Sequence, residues 1–471
     1  MARNLLYPSG KTETWMISRR RTLGLLAGMT ATAAAGRPFA APERAVITPV
    51  DLRGSLDAGK LGMAPEATGS QSRTLQSIID RAAEARVPVF LPPGTYRVSN
   101  ITLPAGAHVT GVPGASRILY DGGGFLFRAD TVDTITLSNL SIDGANGWLA
   151  DDAPALVHLR AVKNVSIDNC DIAGSRRSGV QMERCGGRIE RSRLSGALSY
   201  GLYAVESTGL SITGNTVSDC GDGGILVHRW TKGADNTMVQ SNRIERIRAR
   251  SGGTGQYGNG INLFRADGAL VSGNHVSDCA FSAMRANASS NVLVTGNQCL
   301  NLGEMAIYAE FGFEGAVISG NIVDGAANGI AVVNFNEGGR LATISNNIVR
   351  NLVADGPYAA ENGFGTGISA EADAVISGNV VENVPKWGML IGWGPYLRNV
   401  TAIGNMVRKA PVGIAVSVAE GAGAAAITNN MFEATPGGAI AGFLWNRQAS
   451  GDLLENAGPY RHITVSGNRS V

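Results

Sequence analysis

The chain has 471 residues, and glycine fills 63 of them, about twice the usual share. No Gly-X-Y period accompanies that glycine, which excludes a collagen-like rod, and 44% hydrophobic residues exclude a largely disordered chain. With 40 Lys and Arg against 38 Asp and Glu, the formal charge is only +2, too little for a dedicated nucleic-acid binder.

In chain order, the first predicted element is a targeting segment. The stretch "SRRRTLGLLAG" (Ser18 to Gly28) sets consecutive arginines before an apolar run, Leu23 to Ala35, followed by "GRPFAAPE". The run is shorter than the ~20 apolar residues that a bilayer span needs, and the order basic, apolar, small is that of an export signal. It resembles a bacterial twin-arginine signal, with Ser18, Arg19 and Arg20 opening the motif and Leu23 in its apolar position. The resemblance implies handling by the twin-arginine translocation machinery and a periplasmic or secreted protein. Cleavage is expected near Ala40 or Ala41, and Met16 is an alternative start. Loss of residues 1–40 leaves 34 basic against 37 acidic residues, so no nucleic-acid partner is expected. No second long apolar run follows, so no stable membrane span is expected either.

Residues 41–115 read as an N-terminal cap. Leu75, Ile78, Ile79, Ala82 and Ala83 recur at helical spacing and predict an amphipathic helix leading into the strand "VPVFLPPGTYRV". Such a helix would cover strand edges left open at the end of a stacked fold.

Residues 116–471 read as repeats. "ITGN" ends at Asn215, "VSGN" at Asn274, "ISGN" at Asn321 and Asn379, and "VSGN" at Asn468, with related copies between them at spacings of about 23 to 32 residues. Earlier copies, "IDNC" at Cys170 and "IERS" at Ser192, hold the register without the Asn. Each copy holds short β-branched segments separated by Gly and Asn, too short for helices. One coil cannot bury its apolar face alone, so the coils must stack strand upon strand into a solenoid. The Asn is expected to accept a left-handed backbone at a tight turn and to bond up and down a stacked amide ladder. Cys170, Cys185, Cys220, Cys279 and Cys299 are odd in number and lack zinc spacing, so they read as packing residues, with a disulfide left open.

Over about residues 45 to 471, and most clearly at "LPPGTY" (Leu91 to Tyr96), the chain resembles pectate-lyase-like β-helix proteins. The signal and repeats together resemble twin-arginine-translocated β-helix repeat proteins. The fold that this implies is all-β: a single-stranded, right-handed parallel β-helix with an N-terminal capping helix.

In the strands that begin Gly-Ile, alternate residues should point inward, giving the column Ile225, Ile261, Met284, Ile307, Ile330, Ile368 and Met389. Outward columns gather His228, Asn262, Arg285, Asn287, Tyr308 and Glu310 over consecutive coils, with Arg229, Phe264 and Arg265 beside them. Loops around residues 242–260 and 352–365 could wall a groove there.

Two chemistries suit this patch. Opening an acidic polysaccharide by C5-proton abstraction needs a base (His228), a neutraliser of the uronate (Arg285) and an acid (Tyr308), with Glu310 beside them. Calcium, held by Asn287 and Glu310, could share the task of Arg285; no other cofactor is implied. Returning the proton from the other face would make the same set an epimerase. Alternatively, Glu310 and Glu371, two coils apart in one column, could form the carboxylate pair of an inverting glycoside hydrolase. The "NTD", "GHG" and "RIK" set of polygalacturonase-type hydrolases is absent, as is the "DPHD" of alginate epimerases. The substrate contacts expected on this face are Arg229, Asn262, Phe264, Arg265, Asn287 and Glu371. A third reading is a β-helix that binds glycans or decorates the envelope without turnover, which would need only the aromatic and amide groups.

Overall fold

The computed structural model describes residues 54–360 and 362–471. The export signal, the alternative start and the beginning of the cap lie outside the described residues.

The helix forms over Ser72–Ala85 and buries Leu75, Ile78, Ile79 and Ala82, with Ala83 half-buried at the margin. It stops where Arg86 turns left-handed (φ 56) and Val87 donates its N–H to the Ala82 carbonyl at 3.0 Å. Its apolar face packs on the short strands Val89–Phe90, Gly94–Val98, Ile101–Thr102 and Ala107–Thr110.

From there the chain winds into a parallel β-solenoid of about 14 turns. A coil contributes up to three short strands: one that begins Gly-Ile, one that ends at the Asn turn, and one that follows it. Each pairs in parallel with its counterparts one coil away, as Ile225 with Ile261, Val239 with Val271, and Ile244 with Val276. The column from Ile225 to Met389 runs in register through seven coils, and none of its members is more than 3% exposed. All five cysteines are free and buried in this core, and burial pushes Cys170, Cys220 and Cys299 up to about 12.

The Asn ladder is continuous from Asn215 to Asn468. In every rung an Asn Nδ2 donates to the Oδ1 of the next Asn, at 2.9 or 3.0 Å, and to a carbonyl of the preceding coil. The expected left-handed backbone, however, falls on the residue before each Asn. Gly214, Ser241, Gly273, Gly320 and Asn346, for example, have φ between 55 and 67. The two tasks are divided because a left-handed turn and a buried amide aimed along the axis need different side-chain directions. At the early copies, Ser192 takes the amide's place, receiving the Cys170 N–H and donating its own N–H to Asn215.

At the C-terminal end, Ile440–Leu444 pairs antiparallel with Arg447–Asp452. This hairpin occupies the edge of the last Gly-Ile strand, which would otherwise stand unpaired.

Candidate functional site

The outward columns follow the register that strand alternation requires. Asn262, Arg285, Tyr308 and Ala331 are successive partners, as are His228, Phe264, Asn287 and Glu310. The structure brings Arg285, Asn287, Tyr308 and Glu310 together, and they engage one another. Arg285 Nε lies 2.5 Å from Glu310 Oε1, and Asn287 Nδ2 donates to the same oxygen at 2.8 Å. The side chains are 11% and 2% exposed for Arg285 and Glu310, so this is a buried pair. Removing one partner would strand the other's charge. The Tyr308 ring lies 5.6 Å from the guanidinium, and burial pushes its hydroxyl up, keeping it neutral. Asn262, one coil before, is buried, and its Oδ1 has no partner among the described residues. The loop carrying Gly255 closes over the Arg285 guanidinium so tightly that a Cβ there would meet Nη1.

One member of this cluster escaped the sequence reading. Glu304 is 4% exposed; it accepts a hydrogen bond from Tyr358 at 2.6 Å, and burial raises its carboxyl. Its strand shifts register between Leu302 and Met305, so simple alternation does not place its side chain. Tyr358 belongs to the loop between residues 351 and 365, and this contact ties that loop to the strand face.

His228 stands apart. It is three coils from Tyr308 in register, ~14 Å along the axis at ordinary strand spacing. Its ring is held between Tyr203 (5.2 Å) and Phe264 (5.5 Å), its Nε2 has no partner among the described residues, and burial lowers its pKa to about 4. A neutral ring in an aromatic stack is a packing group and a feeble base. His228→Phe is therefore expected to keep stability within about 1 kcal/mol, and to leave any activity of the groove unchanged; thermal unfolding and assay of the variant check both.

The flanking arginines are also engaged. Arg229 pairs with Glu206 at 3.2 Å, and Arg265 donates to the Trp230 carbonyl at 2.6 Å while lying 4.8 Å over the Phe264 ring.

The open space lies one to three coils further on. Between Tyr308 and Leu390 the first column carries Ala331 and Ser369, and these small side chains leave a hollow of about 250 Å³. Trp387 and Trp393 form aromatic walls, and Asn362 and Gly363 of the long loop form the rim. Besides Tyr308, two ionisable groups line it. Glu371 accepts the Phe335 N–H at 2.7 Å, yet burial still raises its carboxyl to about 7. Burial lowers Lys386 to about 8; its amine bonds the Asn362 carbonyl and sits 3.8 Å from the Trp387 ring. The Glu310 and Glu371 carboxylates are not equivalent: Glu310 is committed to Arg285 and Asn287, and only Glu371 lines the hollow. Among the described residues no group of three His, Cys, Asp or Glu is arranged to hold a metal. At the candidate calcium position Asn287 turns its donor, not its oxygen, toward Glu310.

Coils paired in parallel around one continuous core define a β-solenoid. The model of the right-handed beta helix region matches residues 123–255 and 155–351, and the chain has the right-handed parallel β-helix fold. The N-terminal fragment of bacteriophage Phi29 gene product 12 matches at a TM-score of 0.51 and 15% identity, over 89% of this chain and 71% of that one. The Dettilon tailspike protein matches at 0.46 and 16% identity, covering 88% and 69%. The catalytic unit of a GH87 alpha-1,3-glucanase from Streptomyces thermodiastaticus matches at 0.40 and 17%, covering 93% and 70%. At these identities the likeness is one of fold. No curated protein matches the sequence.

Proposed function

We propose that this chain is an exported β-helix protein that binds an acidic polysaccharide along the Gly-Ile strand face and acts on it by C5-proton abstraction in the hollow beside Glu371. The observation that carries the reading is that one aromatic-walled hollow is lined by both a carboxyl that burial raises to about 7 and an amine that burial lowers to about 8. Perturbed acid and base groups convergent on a cleft are a physical signature of proton-transfer chemistry.

In this scheme the unprotonated Lys386 amine takes the C5 proton. The C–H electron pair forms the C4–C5 double bond, the C4–oxygen bond breaks, and the departing oxygen receives the Glu371 proton. The neutral Tyr308 hydroxyl and the Asn328 amide, whose Oδ1 already accepts the Gly365 and Thr366 N–H groups, are donors available to the uronate. The base thus moves from His228 to Lys386, and Arg285 with Glu310 becomes the support beneath Tyr308. Paired-carboxylate hydrolysis is disfavoured by the engagement of Glu310.

Export rests on the Ser18 to Ala35 segment. Replacing Arg19 and Arg20 by Lys should hold the protein in the cytoplasm, as fractionation would show. To test the activity, purified protein from about Ala41 is incubated with alginate, polygalacturonate and neutral glucans. Ultraviolet absorbance of an unsaturated product, or solvent deuterium at C5, is expected from an acidic polymer. New reducing ends without either signal would move the reading to hydrolysis. Retention in a polysaccharide gel without turnover would leave a binding protein.

A further inference from the structure

Where the chain leaves the Gly-Ile face, Glu206, Arg265, Ala288 and Phe311 each take a left-handed backbone at the corner, with φ between 50 and 59. The coil of His228 departs from this pattern. Four residues, Arg229, Trp230, Thr231 and Lys232, stand between His228 and Gly233, whereas the next coil has only Arg265 between their partners Phe264 and Ala266. A bulge at the edge of a sheet face re-aims the side chains it carries.

The bulge is pinned by three other coils. Glu206, one coil before, accepts the Trp230 N–H at 2.5 Å and pairs with Arg229 at 3.2 Å. Arg265, one coil after, donates to the Trp230 carbonyl at 2.6 Å, and Lys232 reaches the Gly312 carbonyl, about three coils after, at 2.5 Å. The main chain is thus held on both sides of the Trp230 ring, yet the ring itself is 56% exposed. Only the Arg184 guanidinium, 5.7 Å from its centre, is recorded against it among the described residues.

The charge of this corner is also unmet. Arg184 and Arg229 have carboxylate partners in Glu183 and Glu206. Arg265 and Lys232, both exposed, spend their bonds on main-chain carbonyls, and neither has a carboxylate partner among the described residues. A rigid, exposed indole beside two unmatched cations suits a ligand that is both flat-faced and anionic. A sugar ring can lie on the indole while its carboxylate meets a cation. A neutral sugar would leave the charges unused, and a small anion would leave the ring unused.

We infer that the Arg229–Lys232 bulge is an accessory binding site for the uronate units of an acidic polysaccharide, with Trp230 stacking on a sugar ring and Lys232 and Arg265 receiving carboxylates. The inference rests on the acidic-polysaccharide reading above and deepens it. From the His228 coil to the Glu371 coil is about five coils, or ~24 Å, so the bulge holds the polymer well outside the hollow.

The test measures retention of the protein in gels containing polygalacturonate, alginate or a neutral glucan, in the Glu371→Gln background so that binding is read without turnover. Retention is expected on an acidic polymer and should weaken about tenfold in Trp230→Ala, at an unchanged unfolding midpoint. Trp230→Phe should recover most of that loss. Lys232→Gln should weaken retention less and flatten its dependence on salt, because an exposed charge is screened. Full retention of Trp230→Ala on the acidic polymer, or equal retention of the parent on the neutral glucan, overturns the site and leaves the hollow's chemistry standing. Absence of retention on both acidic polymers overturns the site together with the substrate class. Retention that depends on Trp230, with no turnover of either acidic polymer by protein that keeps Glu371, would sink the reading of the hollow alone.

Discussion

Glu371→Gln is expected to lower turnover by about 10²–10⁴-fold, the range for loss of one general acid, while leaving retention on the polysaccharide nearly intact. Its pH signature is sharper than its size. With Glu371 near 7 required protonated and Lys386 near 8 required neutral, kcat/KM should be bell-shaped with a maximum near pH 7.5. In Glu371→Gln the alkaline limb should vanish and the residual rate should climb through about pH 8 to a plateau. In Lys386→Met the acid limb should vanish. If each variant loses the opposite limb, the acid and base roles are exchanged.

The same substitution should act on stability in the other direction. The Glu371 carboxyl is raised in the folded state, so the unfolded chain releases its proton first, and stability falls as pH rises from about 4.5 to 7. The loss is on the order of 3 kcal/mol and is complete above the folded pKa. Glu371→Gln carries no such penalty, so its unfolding midpoint should overtake that of the unchanged protein above pH 7 and match it near pH 4. A variant that gains nothing at pH 8 would show the carboxyl to be ordinary.

Asn321→Ala, at an inner rung of the ladder, should damage the fold severely. The Asn321 side chain donates to Val294 O and Asn347 Oδ1 and accepts both the N–H and the Nδ2 of Asn297, all within 3.1 Å and buried. Alanine leaves the two Asn297 donors without an acceptor in the interior, at about 3–5 kcal/mol in total. Asn468→Ala, at the half-exposed last rung, should cost only about 1 kcal/mol. Denaturant midpoints at unchanged m-value, with exchange protection lost around residues 297–347, check the contrast. Equal costs at the two positions would refute the buried ladder as their cause.

The register of this fold was legible because each coil restates the same constraint. The Gly-Ile strands place one inward and two outward columns by alternation, and the columns from Ile225, Asn262 and His228 stand where that period puts them. The turn was half legible. A recurring Gly-Asn pair announces a left-handed residue and a buried amide without saying which residue does which, and that assignment needs the backbone. The site was less legible for two reasons. Polar side chains that bunch on adjacent coils find one another first, so Arg285, Asn287 and Glu310 form a closed network where an open patch was expected. The groove is made by what is missing, at Ala331 and Ser369, and walled by Trp387 and Trp393, whose chain positions do not advertise proximity to Glu371. Glu304 lay hidden at a register shift, which no periodic reading anticipates.

The Asn ladder also has a sense of travel. Every amide sends one N–H to the next Asn and the other back to a carbonyl of the preceding coil, while its oxygen receives only from the coil before, so no rung is complete until the next coil is in place. A lost amide is therefore felt mainly by the coil before it, whose two donors lose their acceptor, and less by the coil after it. The hairpin of Ile440–Leu444 with Arg447–Asp452 closes the Gly-Ile face alone, because the ladder gains one more rung after it, from Asn430 to Asn468.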